Sequence, residues 1–372
     1  GGEPDLMRAL QVLPGVITTG DQGGQLYIRG GAPIQNLVKL DGMILYNPFH
    51  SIGFFSVFDT DILQRADVYT AGFGAKYGGR NSSVMDIRTR SGNRKKYSGK
   101  VSSSTYMSKV LLEAPIGKRG VDGLAPSSLL ISAKASYLDA IAPIVYPYVA
   151  TEYGGLPFSF QDIFGKYSIE SKGGNRVNLF GFNFNDAVRF AGDKTISWQS
   201  NGYGADFLVI PASSGTLIEA HLAQSNYKIQ STELLNRPRQ SAIDGFNGGL
   251  DFTYLLRKYD EFKYGLEFVG YRTDYEYTNS VGRTLDQVQN TTEIGGYMEY
   301  KRQQGRWLVQ PGLRLHNYGS LAIVRVEPRI GLKFNATEYL RFKGSAGRYS
   351  QNLVAANSDR DVVNLFYGFL SG

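Results

Sequence analysis

The strongest constraint on this chain is a two-residue alternation that begins after residue 96 and recurs almost to the end. Val324, Val326, Pro328, Ile330, Leu332 and Phe334 share one face, and Arg325, Glu327, Arg329, Gly331 and Lys333 share the other. Leu250, Phe252, Tyr254 and Leu256 alternate with Asp251, Thr253, Leu255 and Arg257. Ile294, Gly296, Met298 and Tyr300 alternate with Gly295, Tyr297 and Glu299. Successive side chains of a strand point to opposite faces, so each stretch reads as a β-strand with one apolar and one polar face. From Phe262 to Phe268 the alternation holds, then changes phase at Val269 and resumes through Tyr271, Tyr275 and Tyr277, which predicts a β-bulge. Pro311 and Pro328 fall inside such patterns, where proline normally interrupts a ladder.

A soluble sandwich would alternate in the same way, but three features favour strands in a bilayer. Many segments reach the length of about 9–11 residues that a tilted bilayer strand needs. Aromatic residues recur near segment ends (Trp198, Tyr203, Tyr227, Tyr254, Tyr277, Trp307, Tyr318, Tyr339, Tyr349), as interfacial girdles require. The connections also alternate in length. Gly173-Gly174-Asn175, Ala212-Ser213-Ser214-Gly215, Lys258-Tyr259-Asp260-Glu261, Gln303-Gln304-Gly305 and Asn335-Ala336-Thr337-Glu338 read as tight turns, and 139–158, 186–196, 230–240 and 279–288 as longer loops. The pattern yields about thirteen strands between residues 97 and 351. An open sheet would leave backbone groups facing lipid at several kcal/mol each, so further strands are expected beyond this sequence.

Composition narrows the classes. The 25 Tyr, 21 Phe and 45 Gly suit sheets with tight turns. With no cysteine, a disulfide scaffold, a zinc–thiolate site and a catalytic thiol are excluded. The net charge of +7 comes from scattered Lys and Arg, and the densest run, Arg94-Lys95-Lys96, lacks interleaved aromatics. It reads as a solvated link, not a nucleic-acid patch. No apolar run approaches the roughly 20 residues of a spanning helix. Gly1-Gly2-Glu3-Pro4 reads as the middle of a domain, so a natural N-terminus is expected upstream.

Residues 1–93 read differently, as a compact α/β unit. Pro4 to Gln11 predicts a short helix with Leu6 and Leu10 on one face, ended by Pro14-Gly15. Leu26 to Arg29, Leu37 to Leu40, Ala66 to Tyr69 and Ser83 to Ile87 predict short strands, with turns at Gly30-Gly31 and Asp41-Gly42. Several pieces, in order, resemble the plug domain of TonB-dependent receptors. They are Ala9-Leu10-Gln11-Val12-Leu13-Pro14-Gly15-Val16, Tyr27-Ile28-Arg29-Gly30-Gly31, Leu40-Asp41-Gly42, and Tyr77-Gly78-Gly79-Arg80 followed by Ser83-Val84-Met85-Asp86-Ile87. Tyr46-Asn47-Pro48-Phe49-His50 and Gly53-Phe54-Phe55-Ser56 resemble the variant in receptors that carry a carboxypeptidase-regulatory-like N-terminal domain.

The resemblance implies an α+β plug (1–93) inside an antiparallel transmembrane β-barrel (from 94 to 372 in this chain). It implies about 22 strands in the full protein, about thirteen of them here. It further implies residence in the outer membrane of a Gram-negative bacterium, contact with outer-membrane lipid, and import of a scarce nutrient. The TonB energy-coupling complex would act as partner through a segment before Gly1. A receptor-like barrel kept as a structural or assembly subunit, with a surface lipoprotein or another barrel as partner, is the alternative. No cofactor, nucleic acid or catalysis is expected. His50, His221 and His316 lack metal-ligand spacing, and no GxSxG or P-loop pattern is present.

Two groups of site residues follow. Arg29 and Arg80 are candidate plug arginines for pairing with wall acids Glu267, Glu299 and Glu327, because Arg–carboxylate pairs are directional yet add little net stability. The alternative is that backbone carbonyls within the plug satisfy both arginines. Tyr46, Asn47, Phe49, His50, Phe54 and Phe55 are candidates for contacting a ligand from an apical plug loop, the alternative for the phenylalanines being the plug core.

Overall fold

The computed structural model describes residues 5–18, 26–50, 55–145, 158–190, 194–212, 214–232, 239–257, 260–278, 282–356 and 368–371. Helix α1 (Leu6–Gln11) is capped by Asp5, whose carboxylate accepts the N–H groups of Met7 and Arg8 at 2.8 and 3.1 Å. Met7 and Leu10 of this helix are buried. Eight short strands follow: β1 (Val16–Thr18), β2 (Leu26–Ile28), β3 (Asn36–Leu40), β4 (Met43–Leu45), β5 (Phe49–His50), β6 (Phe55–Ser56), β7 (Leu63–Tyr69) and β8 (Ser83–Thr89). Four of them form a sheet of order β4-β3-β8-β7, in which β3 and β8 run parallel; β1 pairs with β2, and β5 with β6. Asp41 (φ 51°) and Gly42 (φ 91°) link β3 to β4, the positive pair that a two-residue hairpin demands.

Thirteen strands then build one antiparallel sheet in sequence order. They are β9 (Ser98–Ser103), β10 (Met107–Ile116), β11 (Ser127–Ser136), β12 (Phe158–Glu170), β13 (Arg176–Phe190), β14 (Lys194–Val209), β15 (Thr216–Thr232), β16 (Arg239–Arg257), β17 (Asp260–Thr278), β18 (Thr284–Gln304), β19 (Trp307–Tyr318), β20 (Ile323–Asn335) and β21 (Arg341–Gly347). Helix α2 (Leu138–Val145) interrupts the series after β11. In a last pair, β22 (Leu353–Ala356) with β23 (Gly368–Ser371), β23 lies against β16, β17 and β18 and β22 against the plug turn at Pro33–Gln35.

Burial along these strands is the reverse of that in a soluble sheet. Leu266 is 61% exposed, and Leu222, Leu250, Ile294, Met298, Leu315 and Ile330 are exposed with it. Their neighbours on the opposite face, among them Asp251, Glu267, Arg314 and Arg329, are buried against residues 5–93. An apolar outer surface around a polar interior is the pattern of a lipid-facing barrel wall. No helix among the described residues is long and apolar enough to cross a membrane.

The structure corrects four expectations. First, the ladder between β16 and β17 runs without a slip from Arg239↔Tyr277 to Leu255↔Glu261, and β17 pairs with β18 without a slip, so Val269 carries no bulge. The phase of the alternation changes because the surroundings change. Tyr264, Leu266 and Phe268 point outward, whereas Val269, Tyr271 and Tyr275 pack inward and Arg272 takes the exposed face. The flip marks where the outer face turns from apolar to polar and the inner face from polar to aromatic. Second, strand runs into both ends of the expected loops 186–196 and 230–240 and into the second half of 279–288. Pairing continues to Phe190, Thr232 and Thr278 and resumes at Lys194, Arg239 and Thr284. Strands β16, β17 and β18 thus hold 19, 19 and 21 residues, about twice the bilayer requirement. Third, Trp198, Tyr227 and Tyr318 face the interior, not a girdle, while Tyr203, Tyr254, Trp307 and Tyr339 are exposed. Fourth, Pro311 and Pro328 are accommodated: they lie opposite Ile330 and Leu313 in the β19–β20 ladder. The β18–β19 ladder breaks only briefly near Pro311, between Glu299↔Gly312 and Arg302↔Val309.

Candidate functional site at the plug–wall interface

The plug sheet offers the wall a polar surface, and strands β15 to β20 answer it with inward side chains. Lys39 of β3 sits between Val38 and Leu40 and is buried. Its ammonium lies 2.8 Å from Glu267 Oε1, and Arg314 holds Glu267 Oε2 at 2.8 Å. Arg314, 1% exposed, also donates to the plug carbonyl of Lys76 at 3.1 Å. Gly78 makes that approach possible, because a Cβ there would stand 2.2 Å from Arg314 Nε. On the next strand, β20, Arg329 Nη1 donates to the carbonyls of Gly74 and Tyr77 at 2.7 and 2.6 Å, while its Nη2 meets Glu327 at 2.6 Å. Glu299 accepts the Ala75 N–H at 2.8 Å, and Asp251 pairs with Lys76 at 3.0 Å.

Asn247 of β16 treats the plug edge as another strand. Its amide oxygen accepts the Ile44 N–H at 3.2 Å and its amide nitrogen donates to the Gly42 carbonyl at 2.8 Å. Asn247→Leu is expected to strand both buried backbone groups and cost about 1–3 kcal/mol. Thermal unfolding and faster hydrogen exchange at the Ile44 amide would register it.

On the side of β10 to β13 the contact is largely apolar. Leu111, Leu130, Phe164, Phe180, Phe182 and Phe184 join one core with Met7, Leu40, Met43, Phe58 and Ile87 of the plug. Buried ion pairs flank this core, Lys109 of β10 with Asp59 at 3.1 Å and Lys166 of β12 with Asp41 at 3.2 Å, and a knot of charge surrounds His50. His50 is fully buried, with Nδ1 at 2.5 Å from Asp186 and Nε2 at 2.8 Å from Asp162. The ring stacks on Phe160 (centroids 4.7 Å apart) and meets Phe184 edge-on. Lys134 reaches Asp162 at 3.0 Å and the Ser56 carbonyl at 3.2 Å. Burial alone would depress the His50 pKa, but the carboxylates of Asp162 and Asp186 outweigh it and raise it to about 9. Both ring nitrogens then carry protons, and the plug presents an imidazolium to two wall acids.

The expected site residues divide accordingly. Glu267 and Glu299 bond the plug directly, and Glu327 does so through Arg329. Neither plug arginine makes an ion pair with these acids among the described residues. Arg80 is buried and donates to its neighbour's carbonyl, Gly79, at 2.7 Å; Arg29 is exposed, at φ 50°. The plug cation that meets Glu267 is Lys39, and the arginines at this seam, Arg314 and Arg329, sit on the wall, aimed at plug carbonyls. Of the apical residues, His50 and Phe49 are buried and so present no surface to a ligand. Asn47 is half-buried, its amide donating to the Tyr227 hydroxyl at 3.3 Å. Tyr46 is also half-buried, its ring edge-on to Phe369, and burial pushes its phenol pKa up. Phe54 lies outside the described residues, as does the Phe55 side chain. Sequence reading passed over Lys39, Arg314, Arg329, Asn247, Asp162 and Asp186. The available signal was a lone charge or amide on the inward register of an otherwise apolar strand, as in Leu313-Arg314-Leu315.

A family profile described as TonB-dependent receptor plug domain matches residues 2–84. No curated protein matches the sequence. Solved structures do match in fold. One is a variant of the ferric enterobactin receptor PfeA of Pseudomonas aeruginosa, with TM-score 0.70 and 15% identity over 94% of this chain and 59% of that one. The siderophore receptor PirA of Acinetobacter baumannii gives 0.68 and 15%, covering 99% and 63%. The FrpB iron transporter of Neisseria meningitidis gives 0.68 and 14%, covering 94% and 62%. The chain therefore spans about three fifths of the length of these receptors. Residues 2–84 belong to the TonB-dependent receptor plug family, and the chain as a whole has the plug-and-barrel-strand fold of those receptors.

Proposed function

We propose that this chain is the plug (1–93) and first barrel strands (94–372) of an active transporter in the outer membrane of a Gram-negative bacterium. It imports a scarce nutrient, and further strands complete the barrel. The observation that carries this reading is the character of the plug seat. Over β15 to β20 it is held by ion pairs and hydrogen bonds, which exchange with water at small net cost. Such a seat keeps the plug in register and still lets it move when pulled. The pull would come from the TonB energy-coupling complex acting on a segment upstream of the plug.

The deciding experiment is uptake by a strain lacking the gene. Loss of growth on one nutrient, and loss of that uptake when the proton gradient is collapsed, are expected. Undiminished uptake of every nutrient tried would overturn the reading. Recovery of the protein in a fixed-ratio complex with a surface lipoprotein or another barrel would then point to an assembly subunit. The lipid contact has its own test. Leu266→Arg places a cation in the apolar band and is expected to cost about 2–4 kcal/mol, read as lost heat-resistant, membrane-inserted protein.

A further inference from the structure

On the inner face of β11 to β15 one row of polar residues crosses the wall in direct register. Ser128, Ser168, Asn178, Asp206 and His221 stand each opposite the next. All five are more than nine-tenths buried. Each also keeps one polar atom with no hydrogen-bond partner: the two serine hydroxyls, Asn178 Oδ1, Asp206 Oδ2 and His221 Nε2. Native interiors leave few such atoms unpaired, and an ion or ordered water commonly serves those that the chain does not. Five in consecutive register positions mark a place for something bound between wall and plug.

Charge narrows what that is. Among the described residues Asp206 has no ion-pair partner; the Asn178 amide donates to its Oδ1 at 2.8 Å, and Oδ2 is unpaired. Lys166 and Arg88 are cations whose charge acts on it, and both are engaged elsewhere. Lys166 directs three N–H donors to Asp41 Oδ2 and to the carbonyl and hydroxyl of Thr89, at 3.2, 3.0 and 2.9 Å. Arg88 lies 3.3 Å from Asp86 on its own strand. Three carboxylates, Asp41, Asp86 and Asp206, thus face these two cations, one positive charge short. A buried carboxylate without a counter-charge is strongly disfavoured.

We propose that Asp206, Asn178 and Ser168 form a site for one alkali cation between wall and plug, with water completing its shell along the row towards Ser128. The unpaired atoms on these three residues are carboxylate, amide and hydroxyl oxygens, the hard donors that suit a hard cation. A half-turn of the Asn178 amide brings its oxygen to the carboxylate in place of its nitrogen. The two oxygens then hold a metal ion where an N–H stands now. A divalent ion fits less well. The deficit is one charge, Lys166 and Arg88 repel a second, and no group of three or more Asp, Glu or His converges on a metal position among the described residues. With the cation in place, seating of the plug over β12 to β14 depends on which salt is present as well as on how much.

The test is thermal unfolding of the full-length protein in detergent, in mixtures of sodium or potassium chloride with choline chloride at one total ionic strength. Choline is too large to enter the seam, so it reports screening alone. In the wild type, sodium or potassium is expected to raise Tm saturably above the choline value. Asp206→Asn removes the charge deficit. It should unfold at least as high as the wild type in choline and gain nothing from either alkali ion. Ser168→Ala should keep the response but need several-fold more alkali salt to reach half of it. In crystals soaked in a thallous salt, a potassium-sized anomalous scatterer should appear beside Asp206. Equal wild-type Tm in all three salts overturns the proposal, as does an Asp206→Asn protein that responds like the wild type. Water alone beside Asp206 in the thallous crystals overturns it too. None of these readings depends on uptake, so the importer reading stands or falls separately.

Discussion

Glu267→Leu is expected to loosen the seated plug by about 3–5 kcal/mol, among the largest effects of any single substitution at the interface. Glu267 is buried between Lys39 of the plug and Arg314 of the wall, one carboxylate oxygen to each. Removing it leaves two buried cations facing one another, and the uncompensated charge, not the lost attraction, makes the cost large. Arg314 keeps its plug carbonyl, but Lys39 loses its ion-pair partner among the described residues. Thermal unfolding should fall, and amides of β3 should exchange faster than those of the wall. Adding Lys39→Met should restore part of the loss, since it removes one of the stranded charges. A Glu267→Leu protein with unchanged β3 protection would show that the seam does not hold the plug.

The second large effect is at His50, and it depends on pH. The groups facing the ring are Asp162 of β12 and Asp186 of β13, with Lys134 of β11 on the far side of Asp162. The folded pKa, about 9, lies above the ordinary value of 6.5. A raised pKa stabilises the fold fully below the unfolded value and is lost as pH rises through the folded one. Plug seating should therefore be strongest below about pH 6.5 and weaken by about 3 kcal/mol as pH climbs past about 9. His50→Gln should be weaker at low pH and nearly insensitive across this window. Protease protection of the plug, followed against pH in both proteins, separates the cases. A wild-type profile that is flat or rises between about pH 6.5 and 9 would contradict the charged imidazole.

Much of the wall was legible because apolar side chains outside and polar ones inside leave an alternation that no tertiary context needs to explain. Leu266 and Glu267, or Val326 and Glu327, announce their faces by themselves. The misread places share one cause. Where β17 passes Gly270, its outward residues become polar and its inward ones aromatic, so a continuous ladder looked like a bulge at Val269 and a continuing strand looked like a loop. The seat was harder to read. Tyr27-Ile28-Arg29 and Tyr77-Gly78-Gly79-Arg80 mark the plug, but a motif does not say which cation meets which acid. Lys39 meets Glu267 only because β3 lies against β17 in space, 228 residues away along the chain. Gly78 could be read as a turn glycine. Its other task, leaving a gap for Arg314, depends on a partner from β19.

The length of the central strands also limits how this vessel can be shut. Between β13 and β14 only residues 191–193 intervene, and between β17 and β18 only 279–283. At roughly 3.4 Å per residue, three residues reach about 10 Å even when straight, too little to arch across a mouth many strands wide. On this side strand carries the sheet to within a few residues of its rim. A cover for the opening would need a longer segment than these, and the β22–β23 pair is one stretch that already packs on the inner side of the sheet.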